Sequence, residues 1–418
     1  LCVLVQQVRD NTTNLRASRN LIAIQSIISR SDMSFVSILD DEDIPDLPEV
    51  EERHIFGVPR PRQSSHRQSP LLSRVLASGP SNLGRGGGGQ SSEQKQSTTS
   101  SASRVRNYSP LGWDEFFDEK LDLVAKDGTS TFRVYQGGIS NKTDDEVDVC
   151  FVFFHGAGMS GLSFATVCGL LKRSHRCIAI DYRGHGSSKV ANPDDLSIST
   201  LVDDAAFIIS KLVPSEVPVV VVGHSLGGAV AVRLTASKKV PNIAGVVVLD
   251  VVEGTALAAL PHMNAIIRRR PRSFPSIEKA IEWSMRSLAV RNLESARISI
   301  PSQLTFDELK GSFVWKTPLM ASEPHWEGWY LGLSEQFLKC SAVKLLIIAD
   351  TDRLDKPLTI AQMQGKFQMV VIPETGHTIH EDAPQKVVSV LEKYAVRNRF
   401  VELSKLNASL QFPKVVMK

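Results

Sequence analysis

A serine set between glycines, with histidines and aspartates at the ends of other apolar runs, is the part of this chain that could do covalent chemistry. In VVVVGHSLGGAVAV, residues 219–232, Ser225 stands in a G-x-S-x-G pattern between a β-branched run and a small-residue run. Residues 219–222 read as a fully buried parallel strand, and those from Ala229 onward as a helix. The chain must then turn sharply at the serine, and Gly223 and Gly227 remove the side chains that would obstruct the turn. A hydroxyl held on such a strained elbow projects above the sheet, within reach of a carbonyl. The chemistry implied is nucleophilic attack, which needs a base, a carboxylate behind it and donors for an oxyanion.

Two further strand-to-turn segments could supply the donors and shape the site. CFVFFHGAGMS, residues 150–160, runs from an apolar strand into His155-Gly156-Ala157-Gly158. Small residues there let the backbone itself touch the substrate oxygen, so the expected oxyanion hole is the N–H groups of Gly156 or Ala157 and of Leu226, the residue after the nucleophile. CIAIDYRGHGSS, residues 177–188, resembles the D-x-R-G-H-G-x-S segment of α/β-hydrolases, and His185 within it reads as structural. The base is expected late in the chain, where VVIPETGHTIHEDAP offers His377 and His380. His377 falls on the loop just beyond the last strand, expected at 367–372. His380 is expected to open the next helix, with Glu381 and Asp382 suited to its positive end.

Spacing leaves the acid open. Asp350, Asp352 and Asp355 follow the strand KLLII, while Asp250 ends the strand AGVVVLD, one strand beyond the nucleophile. A carboxylate at either place can fix the tautomer of the imidazole.

Several longer strings resemble one family, the eukaryotic protein phosphatase methylesterases. They are NYSPLGWDEFF, LDVVEGTA, RRRPRSF, SIEKAIEWS, RNLESAR, DRLDKPLTIAQMQGKFQM and GHTIHEDAP, spread from about Asn107 to about Phe400. The resemblance implies an α/β-hydrolase fold, with a mostly parallel central sheet flanked by helices and a helical cap. It implies Ser225 as nucleophile, Asp250 as acid and His377 as base, with Asp352 a structural residue of the neighbouring loop. The implied reaction is hydrolysis of the C-terminal leucine methyl ester of the type 2A protein phosphatase catalytic subunit, with that subunit and its holoenzymes as partners and no cofactor. Unlike the family's animal members, this chain passes straight through SIPSQLTFDELKGSFVWK with no acidic insertion, and it ends differently. Two other readings compete: a phosphatase-binding module that inhibits or stabilises with little turnover, and a general small-ester hydrolase. An epoxide hydrolase or dehalogenase of this fold would need a carboxylate where Ser225 stands.

Composition is consistent with one catalytic domain and tails. Of 418 residues, 48 are Lys or Arg and 45 Asp or Glu, a net charge of +3 that gives no basic surface for nucleic acid. Residues 106–400 read as the catalytic domain, 401–418 as a tail, and 1–105 as a low-complexity, disordered tail. The first methionine is Met33, so residues 1–32 are set apart as upstream or fragment sequence. The acidic run at 40–52 reads as a solvated segment, and no stretch has the length and polarity of a transmembrane span or a signal peptide. Five cysteines, mostly in apolar contexts, suggest reduced thiols and a cytoplasmic or nuclear protein, which makes the sequons at Asn141 and Asn407 incidental.

A cap is expected at about 251–339, over the carboxyl ends of the strands where open α/β sheets bind ligands. Ile277, Ala280, Ile281, Met285 and Leu288 recur at helical spacing and should mainly pack. Arg268, Arg269, Arg270 and Arg272 could attract an acidic phosphatase surface, or be a solvated helix end. Trp326 and Trp329, with Tyr330, could line a groove for a hydrophobic C-terminal side chain, or pack the cap. Because a permanently active esterase would also attack unrelated esters, partner binding is expected to help align the site.

Overall fold

The computed structural model describes residues 106–138, 149–351 and 354–401. The tails at 1–105 and 402–418, the acidic run, both sequons and Asp352 lie outside the described residues.

The chain opens with β1 (Glu119–Val124) and β2 (Thr131–Gly137), then β3 (Cys150–Phe154), α1 (Ala165–Leu171) and β4 (Arg176–Ile180). It continues through α2 (Ile198–Leu212), β5 (Val219–His224), α3 (Leu226–Ser237) and β6 (Ile243–Leu249). The cap comprises α4 (Glu253–Arg269), β7 (Ser273–Phe274), α5 (Ile277–Arg286), α6 (Leu293–Ser302), β8 (Leu304–Asp307), β9 (Ser312–Trp315), α7 (Trp326–Tyr330) and α8 (Leu333–Lys339). Then follow β10 (Val343–Ile348), α9 (Lys356–Met363), β11 (Gln368–Val371), α10 (Ile379–Asp382) and α11 (Pro384–Arg397).

Among the described residues the main sheet has eight strands in the order β1-β2-β4-β3-β5-β6-β10-β11. From β4 to β11 in that order neighbouring strands pair in parallel, while β2 runs antiparallel to both β1 and β4. Every residue of β3 and β5 is buried, as expected of parallel strands covered on both faces. Their side chains alternate between two cores. Cys150, Val152, Phe154, Val219 and Val221 pack with α2, α3 and the cap, while Phe151, Phe153, Val220 and Val222 pack with α1 and α11. β4 and β5 lie on opposite sides of β3, so the winding reverses there. The crevice opened by that reversal, at the carboxyl ends of β3 and β5, is where this class of sheet binds ligands.

The cap is helical as expected but adds a small antiparallel sheet, β7-β9-β8. Phe274, Ala280, Ile281, Val290, Ala296, Ile300 and Leu304 form its own core, with Ile277 and Met285 at the edge. Leu288 departs from the expected stripe. α5 ends at Arg286, and Leu288 follows in a left-handed turn with its side chain 47% exposed. No helix among the described residues is long and apolar enough to cross a membrane.

Candidate active site

Ser225 sits between β5 and α3 at φ 52°, ψ −118°, a conformation L-residues rarely adopt. The flanking glycines make that geometry possible. A Cβ on Gly223 would collide with the Gly227 carbonyl, and a Cβ on Gly227 with the Phe154 carbonyl at the end of β3. The second contact seats the start of α3 directly against the His155-Gly156-Ala157 turn. The N–H of Leu226 opens α3, where the first-turn amides have no acceptor within the helix, and Ala157 is buried beside it in the same core. Two backbone segments suited to hold an oxyanion thus meet next to Ser225.

The turn after β3 is pinned from behind. His185 Nε2 accepts from the Gly158 N–H at 2.9 Å, while its Nδ1 lies 2.9 Å from the Arg183 carbonyl. His155 Nε2 accepts from the Tyr182 N–H at 3.1 Å, and Asp181 accepts from Gly161 and Ser187 N–H groups at 2.7 Å each. These bonds require neutral imidazoles, and burial pushes His185 down to about 4. His185 is therefore a structural strut of the turn.

Of the carboxylates left open by spacing, the fold sets Asp250 against the imidazole. β6 neighbours β5 in the sheet, and its end brings Asp250 behind His377, with Oδ2 2.8 Å from Nδ1. The other carboxylate oxygen accepts from the Ala349 N–H at 3.0 Å, and Asp250 itself holds φ 51°. Asp355 is engaged elsewhere, since it caps α9 through Leu358 N–H at 3.0 Å and accepts from Ser334 Oγ at 2.6 Å. Asp350 stands half-buried at the end of β10.

His377 lies on the loop between β11 and α10, and α10 contains His380. The His377 carbonyl lies 2.9 Å from His224 Nε2. The His224 ring packs between the rings of His377 and His380, with centroids at 4.6 and 4.5 Å. His380 also stacks on Phe164 at 4.2 Å and is held down to about 3, chiefly by burial and then by the neighbouring His377. His380 thus buttresses the catalytic loop from within the core. Asp382 also does more than favour a helix end: it accepts from the Gly376 N–H at 2.6 Å and the Arg291 N–H at 2.7 Å. Glu381, expected to suit the positive end of a helix, is fully buried, and burial pushes its carboxyl up to about 8.

The substrate-binding candidates separate. Trp326 and Trp329 lie in the core, their indole N–H groups spent on Ser322 Oγ at 2.8 Å and the Leu196 carbonyl at 2.7 Å. Tyr330 is buried in the same core. Arg268, Arg269 and Arg272 are exposed at and just past the end of α4, whereas the Arg270 guanidinium lies 3.8 Å from the centre of the Trp315 ring. The arginines are thus presented outward, apart from the cluster around Ser225. The reading of sequence missed His224, Arg233 and Glu253. Only His224 carried a signal, its place inside the elbow motif.

Residues 151–390 match the alpha/beta hydrolase family model. Fold and matched residues together define an α/β-hydrolase. E-2-(acetamidomethylene)succinate hydrolase superposes with a TM-score of 0.53 at 20% identity, over 66% of this chain and 97% of that one. The thioesterase domain from the curacin biosynthetic pathway does so with 0.51 at 18% identity, over 66% and 99%. Sequence relatives are more specific. Human protein phosphatase methylesterase 1 is 38% identical over 345 residues, covering 72% of this chain and 88% of the relative. The Schizosaccharomyces pombe protein of that name is 42% identical over 297 residues, covering 69% and 85%. A probable protein phosphatase methylesterase 1 of Caenorhabditis elegans is 37% identical, covering 87% and 94%. The chain belongs to the protein phosphatase methylesterase family of α/β-hydrolases.

Proposed function

We propose that this protein is a serine carboxylic-ester hydrolase that removes the methyl ester from the C-terminal leucine of the type 2A protein phosphatase catalytic subunit, alone or in its holoenzymes. The observation that carries the reading is the placement of Ser225 on a strained elbow, with the Asp250–His377 pair at 2.8 Å in the same crevice.

In the proposed mechanism, the N–H at His377 Nδ1 donates a hydrogen bond to Asp250, which leaves Nε2 as the proton acceptor. His377 takes the Ser225 proton as Oγ bonds to the ester carbon. The carbonyl electron pair moves to the oxygen, which the N–H groups of Leu226 and of the Gly156–Ala157 turn receive. The tetrahedral intermediate collapses with protonation of methoxide by His377, and methanol leaves. Water, deprotonated by the same base, then releases the leucine carboxylate. No step asks for a metal or an organic cofactor.

The exposed Arg268 and Arg269 are suited to meet an acidic face of the partner. A cytoplasmic or nuclear place of action fits the buried, unpaired thiols of Cys150, Cys168, Cys177 and Cys340. Ser225 is only 1% exposed and His377 4%, so little of either is open to solvent. That enclosure favours a large partner able to open the site over a freely diffusing small ester.

The test is methanol release from C-terminally methylated catalytic subunit, comparing wild type with Ser225→Ala. Release by wild type only, with binding retained in the variant, supports the reading. Binding without release by either chain would favour a phosphatase-binding module.

A further inference from the structure

His224 closes β5 directly before the nucleophile, and it is fully buried. In the sheet it pairs with Leu249, the residue before Asp250, and the Leu249 carbonyl accepts from the Ser225 N–H at 3.1 Å. The strand ladder thus fixes the serine and the aspartate to each other through the residues that precede them. His377 has no such place, because it stands on the loop between β11 and α10. Thr375 Oγ1 donates to the Ile372 carbonyl at 2.7 Å, the Gly376 N–H to Asp382 at 2.6 Å, and Thr378 Oγ1 to the Ala289 carbonyl of the cap at 3.1 Å. Those bonds tie the loop to β11, to α10 and to the cap. Asp250 holds the imidazole at Nδ1, which fixes the orientation of the ring. The bond from His224 holds instead the backbone of His377, at 2.9 Å, against the strand that carries Ser225.

A carbonyl oxygen only accepts, so the His224 ring carries its proton on Nε2. Burial, and then His380 and His377 beside it, hold this imidazole well below the usual histidine range, so Nδ1 stays bare. Nδ1 has no hydrogen-bond partner among the described residues and faces the oxyanion turn, where a Cβ on Gly156 would stand 2.8 Å from it. The rings of His377 and His380 lie beside it, with centroids at 4.6 and 4.5 Å. Backbone at one edge and two neighbouring rings keep Nε2 aimed at the carbonyl. A buried ring nitrogen left unbonded costs stability, and a phenylalanine would fill the same slot without that cost. Packing alone therefore does not account for an imidazole here.

We propose that His224 is a positioning residue of the reaction: donation from its Nε2–H to the His377 carbonyl sets where the base stands relative to Ser225. Proton transfer between Oγ and His377 Nε2 needs the two atoms within hydrogen-bond reach, and the backbone bond holds the loop at the place where that reach is met. His224 keeps its own proton and acts only through His377. This role rests on Ser225 and His377 being nucleophile and base but is independent of which ester is the natural substrate.

The experiment compares wild type with His224→Phe, His224→Asn and His224→Gln for labelling rate by a fluorophosphonate and for kcat and KM on p-nitrophenyl acetate. A glutamine amide nitrogen lies as many bonds from Cβ as histidine Nε2 and can donate to the same carbonyl, whereas that of asparagine matches Nδ1 and falls short. Phe and Asn are expected to slow labelling and lower kcat by about 10- to 100-fold, the scale of a displacement of about 1 Å at the reacting atoms. Gln is expected to recover most of that loss, and KM should stay within about twofold throughout, as for an effect confined to the transition state. Labelling of His224→Phe at the wild-type rate overturns the proposal. So does a Gln variant as slow as Asn, which makes the ring, not its N–H, the part that matters. In wild type carrying 15N-histidine, His224 is expected to show a protonated Nε2 and a bare Nδ1. A bare Nε2 overturns the proposal even where a variant fails to fold. No labelling of wild type would remove the nucleophile reading and this role with it, a failure distinct from one confined to the order of the variants.

Discussion

Asp250 shows how much of this site rests on single backbone conformations. It and Ser225 are the non-glycine residues at the ends of adjacent parallel strands that hold positive φ, at 51° and 52°. That shared twist lets a carboxylate one strand away reach behind the imidazole that serves the serine. Asp250→Asn keeps the shape but offers an N–H where the imidazole needs an acceptor, favouring the wrong tautomer. Its kcat is expected to fall by about 10⁴-fold with little change in Tm, measured as methanol release and by thermal melting. Gly227→Ala is expected to abolish turnover as well, but through the fold, since its Cβ would meet the Phe154 and His155 carbonyls. A lowered Tm accompanying the loss separates the two cases.

At the scale of elements, the cap is attached to the hydrolase body by specific bonds as well as by apolar packing. Arg233 reaches from the nucleophile's helix to three cap carbonyls, and its guanidinium has no carboxylate partner among the salt bridges of the described residues. Arg233→Ala should cost about 1.5–3 kcal/mol, the range for hydrogen bonds to a charged group. It should also increase proteolytic nicking near residues 326–339, because α7 loses its registration to α3. An unchanged cleavage pattern with a fully retained Tm would show the clamp to be idle. Legibility differed between elements. The strand-elbow-helix at Ser225 was plain because buried parallel strands and small-residue helix starts leave strong local patterns. The strands β7–β9 were not, since two to four residues of half-buried sequence carry no period.

For the molecule as a whole, buried titratable groups behind the catalytic loop couple stability to pH. Burial raises the Glu381 carboxyl to about 8, with Asp382 adding to the effect, so the folded chain binds a proton that the unfolded chain has already released above about 4.3. Stability from this group is full below the unfolded pKa and is lost as pH rises through 8. His380 acts in the opposite sense. With its folded value near 3, it contributes stability above about 6.5 that is lost as pH falls toward 3. Glu381→Gln should therefore raise Tm at pH 8 to 9 and flatten its decline from pH 5, read by thermal melts across that range. A variant whose melting profile parallels that of wild type would show that Glu381 does not titrate with folding.

The sequence by itself determined the class of fold, the serine elbow, the turn that meets it and the histidine loop. Each of these is written in a contiguous stretch where local sterics and hydrophobic alternation act. Residue pattern alone left the acid open between two strands, and only the longer family strings pointed to Asp250. In the tertiary structure, sheet order sets the end of β6 beside the elbow, with Asp250 against His377, while Asp355 caps α9. Tertiary structure alone also revealed the histidine stack behind His377 and the burial of Glu381. Those contacts join residues far apart in the chain, and no local periodicity records a meeting that only the packing of a cap on a sheet brings about.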